Sequence, residues 1–362
     1  MRDRFPISRS ALRLIGGGVL LLALSLTATG QTSSPLAETQ AVATRAGRPP
    51  RTADGHPDIQ GIWNYSTITP LERPPELAGK EYLSNEEAVV LAKREADNRS
   101  RPNPADLDEA RRNPGFGADL EAPLAYEFRI WWDRGTVVKT RRTSLVIDPP
   151  TGRIPPLTEE GQRRQAAERE RRRLHPADGP EDRSAGDRCI VGINAGPPML
   201  PNTYNNNVQI LQVPGYVALL NEMIHAVRII PTDGRAHGNV RQWAGDSRGR
   251  WDGETLSVDT TNFYAATDFV AAASFRGASR NLHLIERFTR VAADTLVYEF
   301  TVDDPATWTS RWTVQLPLTK TNSPIFEYAC HEGNYSMANI LSAARAAEKT
   351  AAPNIGPGRP RP

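Results

Sequence analysis

Cysteine is almost absent from this chain, with only Cys189 and Cys330 among 362 residues. Two cysteines allow one intramolecular bridge at most. An excess of one charge sign is missing too. The 44 Lys and Arg nearly cancel the 42 Asp and Glu, leaving a net charge of +2. Such a balance gives no footing for nucleic acid or an anionic membrane surface. No two histidines stand at the close spacing of a zinc motif, so no metal and no cofactor is expected. Ser247 lies in "DSRGRW", which lacks the Gly-x-Ser-x-Gly turn of a serine hydrolase. A phosphate loop, a dinucleotide fingerprint and an internal repeat are all lacking as well.

What is present begins with a basic start (Arg2, Arg4, Arg9, Arg13), followed by "LIGGGVLLLALSLTATG". This pattern reads as a secretory signal peptide over residues 1–30. The apolar run is too short and Gly-rich for a comfortable membrane span, and the expected location is periplasmic or secreted. Residues 31–50 are polar and small, as in a linker, and the Pro/Gly-rich end from 346 to 362 reads as a disordered tail. In an exported chain, two cysteines most often pair with each other. The alternative is a nucleophilic Cys330 assisted by His331 in "EYACHEGNY".

Residues 51–184 read as irregular and partly helical. Ser84 and Glu87 form a capping box ahead of an apolar run, which predicts a helix over about 85–98. A short strand is expected at Ser144–Asp148 and a polar helix over about Glu159–Leu174. The interleaved Arg and Glu of that helix, without aromatics, describe a solvated face. Residues 185–345 change character. Short strands follow one another: "NVQILQV", "YVALL", "HAVRIIP", a hairpin turning at Asp252-Gly253, "LHLIERFTR", "TLVYEFTV", "RWTVQLPL" and "IFEYAC". Such regular spacing, without long amphipathic helices between the strands, predicts an antiparallel barrel or sandwich rather than a parallel sheet.

Alternation then assigns faces. Leu282, Leu284, Glu286 and Phe288 share one, as do Leu296, Tyr298, Phe300 and Val302, and also Trp312, Val314 and Leu316. The stretch after Glu222 places Met223, His225, Val227 and Ile229 together. The predicted interior is therefore apolar with polar intruders: His225, Glu286 and Tyr298. An unpaired buried carboxylate costs several kcal/mol, so Glu286 needs a partner or a proton. One reading is a structural ion pair with Arg228 or Arg250. The other is a cavity residue with a raised pKa, suited to acid–base work.

Two resemblances bear on the fold. "GIW" at 61–63, ahead of a run of antiparallel strands, resembles the Gly-x-Trp that opens lipocalins. That likeness implies an up-and-down barrel enclosing a cavity for one small ligand. Over roughly 52–335, "DGHPDIQGIW", "SLVIDPPTGRIPPLTEEGQ", "GRWDGETLSVDTTNF", "LHLIERF", "DDPATWTSRW" and "EYACHEG" together are similar to a large group of uncharacterised exported proteins of environmental bacteria. That resemblance implies cysteine at both 189 and 330, hence the bridge, and a variable residue at His331. It carries no catalytic assignment.

The expected architecture is thus mainly β, a lipocalin-like antiparallel barrel or sandwich with an irregular, partly helical N-terminal half packed on it. The expected function is binding of a small, partly apolar ligand in the barrel cavity, with Tyr204, Glu222 and Trp251 as contacts. The alternative is a metal-independent lyase, isomerase or hydrolase. His225 or Glu286 would be its base, and Arg228 or Tyr298 would stabilise negative charge.

Overall fold

The computed structural model describes residues 50–99, 133, 135, 139–192, 194–264 and 278–351. The segments read as signal peptide and linker, apart from residue 50, lie outside the described residues, as does the tail beyond 351. Ten strands form one sheet: β1 (Gly61–Asn64), β2 (Val146–Asp148), β3 (Asn207–Val213), β4 (Tyr216–Asn221), β5 (Val227–Pro231), β6 (Asp246–Asp252), β7 (Thr255–Thr261), β8 (His283–Arg290), β9 (Thr295–Asp303) and β10 (Trp312–Thr321). Among the described residues, three α-helices accompany them: α1 (Asn85–Arg99), α2 (Glu159–Leu174) and α3 (Tyr335–Ala351). The fold is mainly antiparallel β.

The strand order is β5-β4-β3-β1-β10-β9-β8-β7-β6, with β2 pairing on β10. Every pair of neighbouring strands is antiparallel. The path has nine strands, so its two edges, β5 and β6, run in the same direction, and a closing ladder would have to be parallel. None forms. The edges nevertheless meet: a Cβ on Gly249 of β6 would lie 2.9 Å from Thr232 Cγ2 and 3.0 Å from Ile230 Cγ2. The sheet is therefore curled into a barrel with one seam held by side chains rather than by a ladder.

Local chemistry explains the elements. Ser84 and Glu87 cap α1 reciprocally, at 3.2 and 2.7 Å. Thr158 caps α2, accepting from the Gly161 amide at 3.0 Å. The β6–β7 hairpin turns on Gly253 and Glu254, with Gly253 at φ +60, a conformation cheap only for glycine. Alternating residues of the strands fill the interior. Leu284, Phe288, Leu296, Tyr298, Phe300, Trp312, Val314 and Leu316 are all fully buried. Trp63 of β1 is fully buried in the same core. Its indole donates to the Ile59 carbonyl at 2.9 Å and lies beneath the Arg290 guanidinium, 5.7 Å from the ring centre.

Two expectations are corrected. The stretch 223–225 is a single 3-10 turn, with Ile224 and His225 at positive φ (46 and 41), not the start of a strand. That turn resets the alternation. Arg228 and Ile230 face inward, while Val227 and Ile229 are exposed on the outside. "IFEYAC" forms no ladder, because β10 already carries β1 along one edge and β9 along the other. The segment passes over the outside, and α3 follows it. That helix is built from good helix formers such as Ala, Leu, Met, Glu and Lys.

If the seam depends on the missing side chain at Gly249, Gly249→Val will overpack it. The expected loss is about 1–3 kcal/mol, read as a lower urea midpoint at unchanged slope. An unchanged midpoint would show that the two edges do not bear on each other.

Candidate functional site

The polar intruders converge inside the barrel. Inward positions bring Arg228 from β5, Glu286 from β8 and Tyr298 from β9 to one point. Arg228 holds the carboxylate in two-pronged fashion, Nη1 to Oε2 at 2.5 Å and Nη2 to Oε1 at 2.9 Å. The Tyr298 hydroxyl donates to the same Oε1 at 2.7 Å and accepts from the Met199 amide at 3.0 Å. Glu286 and Tyr298 are fully buried, and Arg228 nearly so. Burial and the adjacent Glu286 charge push the Tyr298 phenol well above its usual pKa, so it stays a donor. Burial disfavours the Arg228 cation, but Glu286 outweighs it and raises the guanidinium pKa. The Arg228 Nε finds no partner among the described residues.

Met199 reaches this network on a loop that enters the barrel from the end where β1 leaves the sheet. Ala195, Met199 and Leu200 are buried, and Met199 and Leu200 belong to the main core. Met199 and Leu200 thus add their side chains to the interior where a ligand cavity was expected. What remains at that end is a groove of about 350 Å³, lined by residues including Thr67, Thr69, Leu71, Leu145, Leu200 and Asn202. Glu95 of α1 also lines it and is its one ionisable lining residue among the described residues.

The other expected contacts lie elsewhere. His225 is exposed on the turn before β5, away from Glu286, because of the phase change there. Glu222 is buried; it accepts from the Asn207 amide at 2.7 Å and from the Phe326 backbone at 3.2 Å. Tyr204 stacks on Tyr328, with ring centres 6.4 Å apart. Trp251 packs against the end of the core and stacks on His56 at 5.0 Å. Cys189 and Cys330 are disulfide-bonded, with Cα atoms 5.8 Å apart, which removes Cys330 as a nucleophile. The bridge spans a sequence separation of 141, and chain entropy credits such a loop with about 5 kcal/mol.

Outside the barrel, an alternating chain of acids and imidazoles joins β6, β7, β8 and the β5–β6 connection. His283 Nε2 lies 2.6 Å from Asp259 Oδ2, His237 Nε2 lies 2.9 Å from Asp259 Oδ1, and His237 Nδ1 lies 3.3 Å from Asp246 Oδ2. The Asp259 hydrogen bond raises the His283 pKa against the opposing effect of burial. Burial pushes Asp259 up, but its two imidazole partners hold it below the usual aspartate value. Among the described residues no group of three or more His, Cys, Asp or Glu is arranged to hold a metal ion. No helix among them is long and apolar enough to cross a membrane.

No family model matches the chain, and no curated protein matches it. Among solved structures, a secretary abundant heat soluble (SAHS) protein from Ramazzottius varieornatus is similar at 12% identity. The match covers 32% of this chain and 70% of that one, with a TM-score of 0.21.

Removing one member of the interior pair leaves a buried, unpaired charge. Arg228→Met is expected to lose about 3–5 kcal/mol in chemical denaturation. The double variant Arg228→Met/Glu286→Leu should recover much of that loss, and a simple sum of the single effects would deny the coupling. A raised His283 pKa means that protonation favours the native state. This contribution is complete below the unfolded histidine value of about 6.5 and fades as pH rises through the native one. Imidazole NMR should therefore give His283 a midpoint above the ordinary value, and Asp259→Asn should bring it down. A midpoint unmoved by that substitution would remove Asp259 as the cause.

Proposed function

We propose that this is an exported binding protein that holds one small, partly apolar molecule at the open end of its barrel. The observation that carries this reading is the 350 Å³ groove between the 67–71 segment and the Leu200–Asn202 end of the inserted loop. Its lining mixes Leu71, Leu145 and Leu200 with the hydroxyls of Thr67 and Thr69 and the amide of Asn202. An apolar surface with a few polar groups that fix orientation is the usual make-up of a small-molecule site. Export is supported by the basic, then apolar, then small-residue pattern of residues 1–30. The disulfide fits an oxidising compartment.

Binding is preferred to acid–base catalysis because of how Glu286 is spent. Its two oxygens already accept three hydrogen bonds from buried donors, and the side chain is fully buried away from the groove. The groove itself presents hydroxyls, an amide and one carboxylate rather than a nucleophile paired with a base.

The test uses the uncharged amphipathic fluorophore N-phenyl-1-naphthylamine. One saturable site per chain is expected. Glu95→Trp, which fills the groove from α1 without touching the core, should weaken binding at least about tenfold at an unchanged melting temperature. Absence of a saturable site, or equal binding by the variant, would refute the reading.

A further inference from the structure

A second groove lies on the outer face of the barrel, on the far side of the sheet wall from the core. Its floor is made by β6, β7 and β8. One wall is the return of the chain from β5 to β6 through Gly234, Arg235, Ala236 and His237, and the volume is about 410 Å³. Strand alternation sends Arg248 and Arg250, Ser257 and Asp259, and Ile285 and Arg287 to this face.

The registers Arg250↔Ser257 and Ser257↔Arg287 place three of these residues in a single row across the strands. Neighbouring strands are about 4.8 Å apart, so the two arginine backbones stand about 10 Å apart with the serine midway. Ser257 is only 6% exposed, sunk between the two longer side chains, and its hydroxyl has no partner among the described residues.

The cations of the groove divide into two kinds. Arg235 is committed to Asp233, and Arg248 to Asp246. Arg250 and Arg287 make no hydrogen bond and no ion pair among the described residues, and both are exposed. The obvious competitor for Arg287 is Glu299, its direct neighbour on β9. That carboxylate accepts from Gln315 at 3.2 Å and does not pair with Arg287. The one acid lining the groove, Asp259, is already shared between two imidazoles. Among the described residues, two unpaired guanidinium groups therefore flank a free hydroxyl at the bottom of a cleft, with no anion of the protein's own between them. Like charges so placed repel, and a fork of planar donors on each side matches the edges of a tetrahedral oxyanion.

We propose that this groove is a binding site for a tetrahedral oxyanion, a phosphate or sulfate group free or borne as an ester. Arg250 and Arg287 supply paired N–H donors from the two sides, and Ser257 donates from below. The site shares no residue with the groove at the barrel end, so it stands whether or not that reading holds.

The experiment is calorimetric titration of the purified protein at constant ionic strength with inorganic phosphate, inorganic sulfate and acetate. Saturable 1:1 binding of phosphate or sulfate is expected, and the preference between them assigns the ester class. Arg250→Ala and Arg287→Ala should each weaken binding roughly tenfold or more, the loss of one charge-assisted pair of hydrogen bonds. Ser257→Ala should weaken it less. Circular dichroism and the melting temperature, measured in the absence of anion, should be unchanged in all three variants, since none of the three side chains has a partner to lose. Saturable binding of neither tetrahedral ion overturns the proposal. So does binding that survives both arginine substitutions, or acetate binding as tight as phosphate.

Discussion

The two-pronged ion pair between Arg228 and Glu286 is the interaction on which the architecture turns. A path of nine antiparallel strands cannot close on itself without one parallel pair, and that pair is not formed here. Arg228 stands on one edge strand, while Glu286 stands on the third strand in from the other edge. The row Gly249, Val258, Glu286 crosses β6, β7 and β8 on the inner face, and the guanidinium reaches the far end of that row from β5. The attraction therefore acts across the open seam from within. A buried pair of this sort is weak evidence for stability compared with well-packed apolar side chains. Its value is geometric: it defines which strands face each other where no ladder does so.

The same pair is tied to the inserted loop. Tyr298 links the carboxylate to the Met199 amide, so the seam, the centre of β9 and the filling of the barrel form one hydrogen-bonded unit. Met199 and Leu200 pack into the core, and among the described residues the two grooves lie at the end and on the outer wall. A small barrel whose interior is just wide enough for side chains allows little else.

Much of the fold was legible in the residues. The strands from Asn207 to Thr321 followed from alternation and turn residues. Both early helices followed from Ser84 with Glu87 and from the polar run after Thr158. The inward row of Glu286 and Tyr298 was legible for the same reason, and the pairing of Glu286 with Arg228 was one of the two alternatives alternation left open. What failed did so locally. A positive φ at Ile224 and His225 shifted the phase of β5, and no local pattern announces such a turn at non-glycine residues. His225 was consequently placed inside and is outside. That Met199 and Leu200 join the core was not legible, because their contacts are tertiary. The groove at the barrel end escaped notice for the same reason: Thr67, Leu145 and Leu200 meet only once the sheet has curled. The outer groove had a visible signal, arginines at outward positions on β6 and β8, but their neighbourhood depends on strand register.

The place of β1 has a consequence for how the molecule is made. Gly61–Asn64 pairs with Asn207–Ile210 on one side and with Thr319–Thr321 on the other, and the second of these pairings joins residues more than half the chain apart. Contacts of such long sequence separation must close large loops before they return any energy, which slows folding and delays it. The barrel cannot be completed while the chain is still emerging, since β10 is its last strand. Until then β1 and β9 lack their shared neighbour, β10, and expose pairing edges. The local hairpins β3-β4-β5 and β6-β7-β8-β9 need neither β1 nor β10, so what must wait for β10 is the joining of these two halves into one sheet.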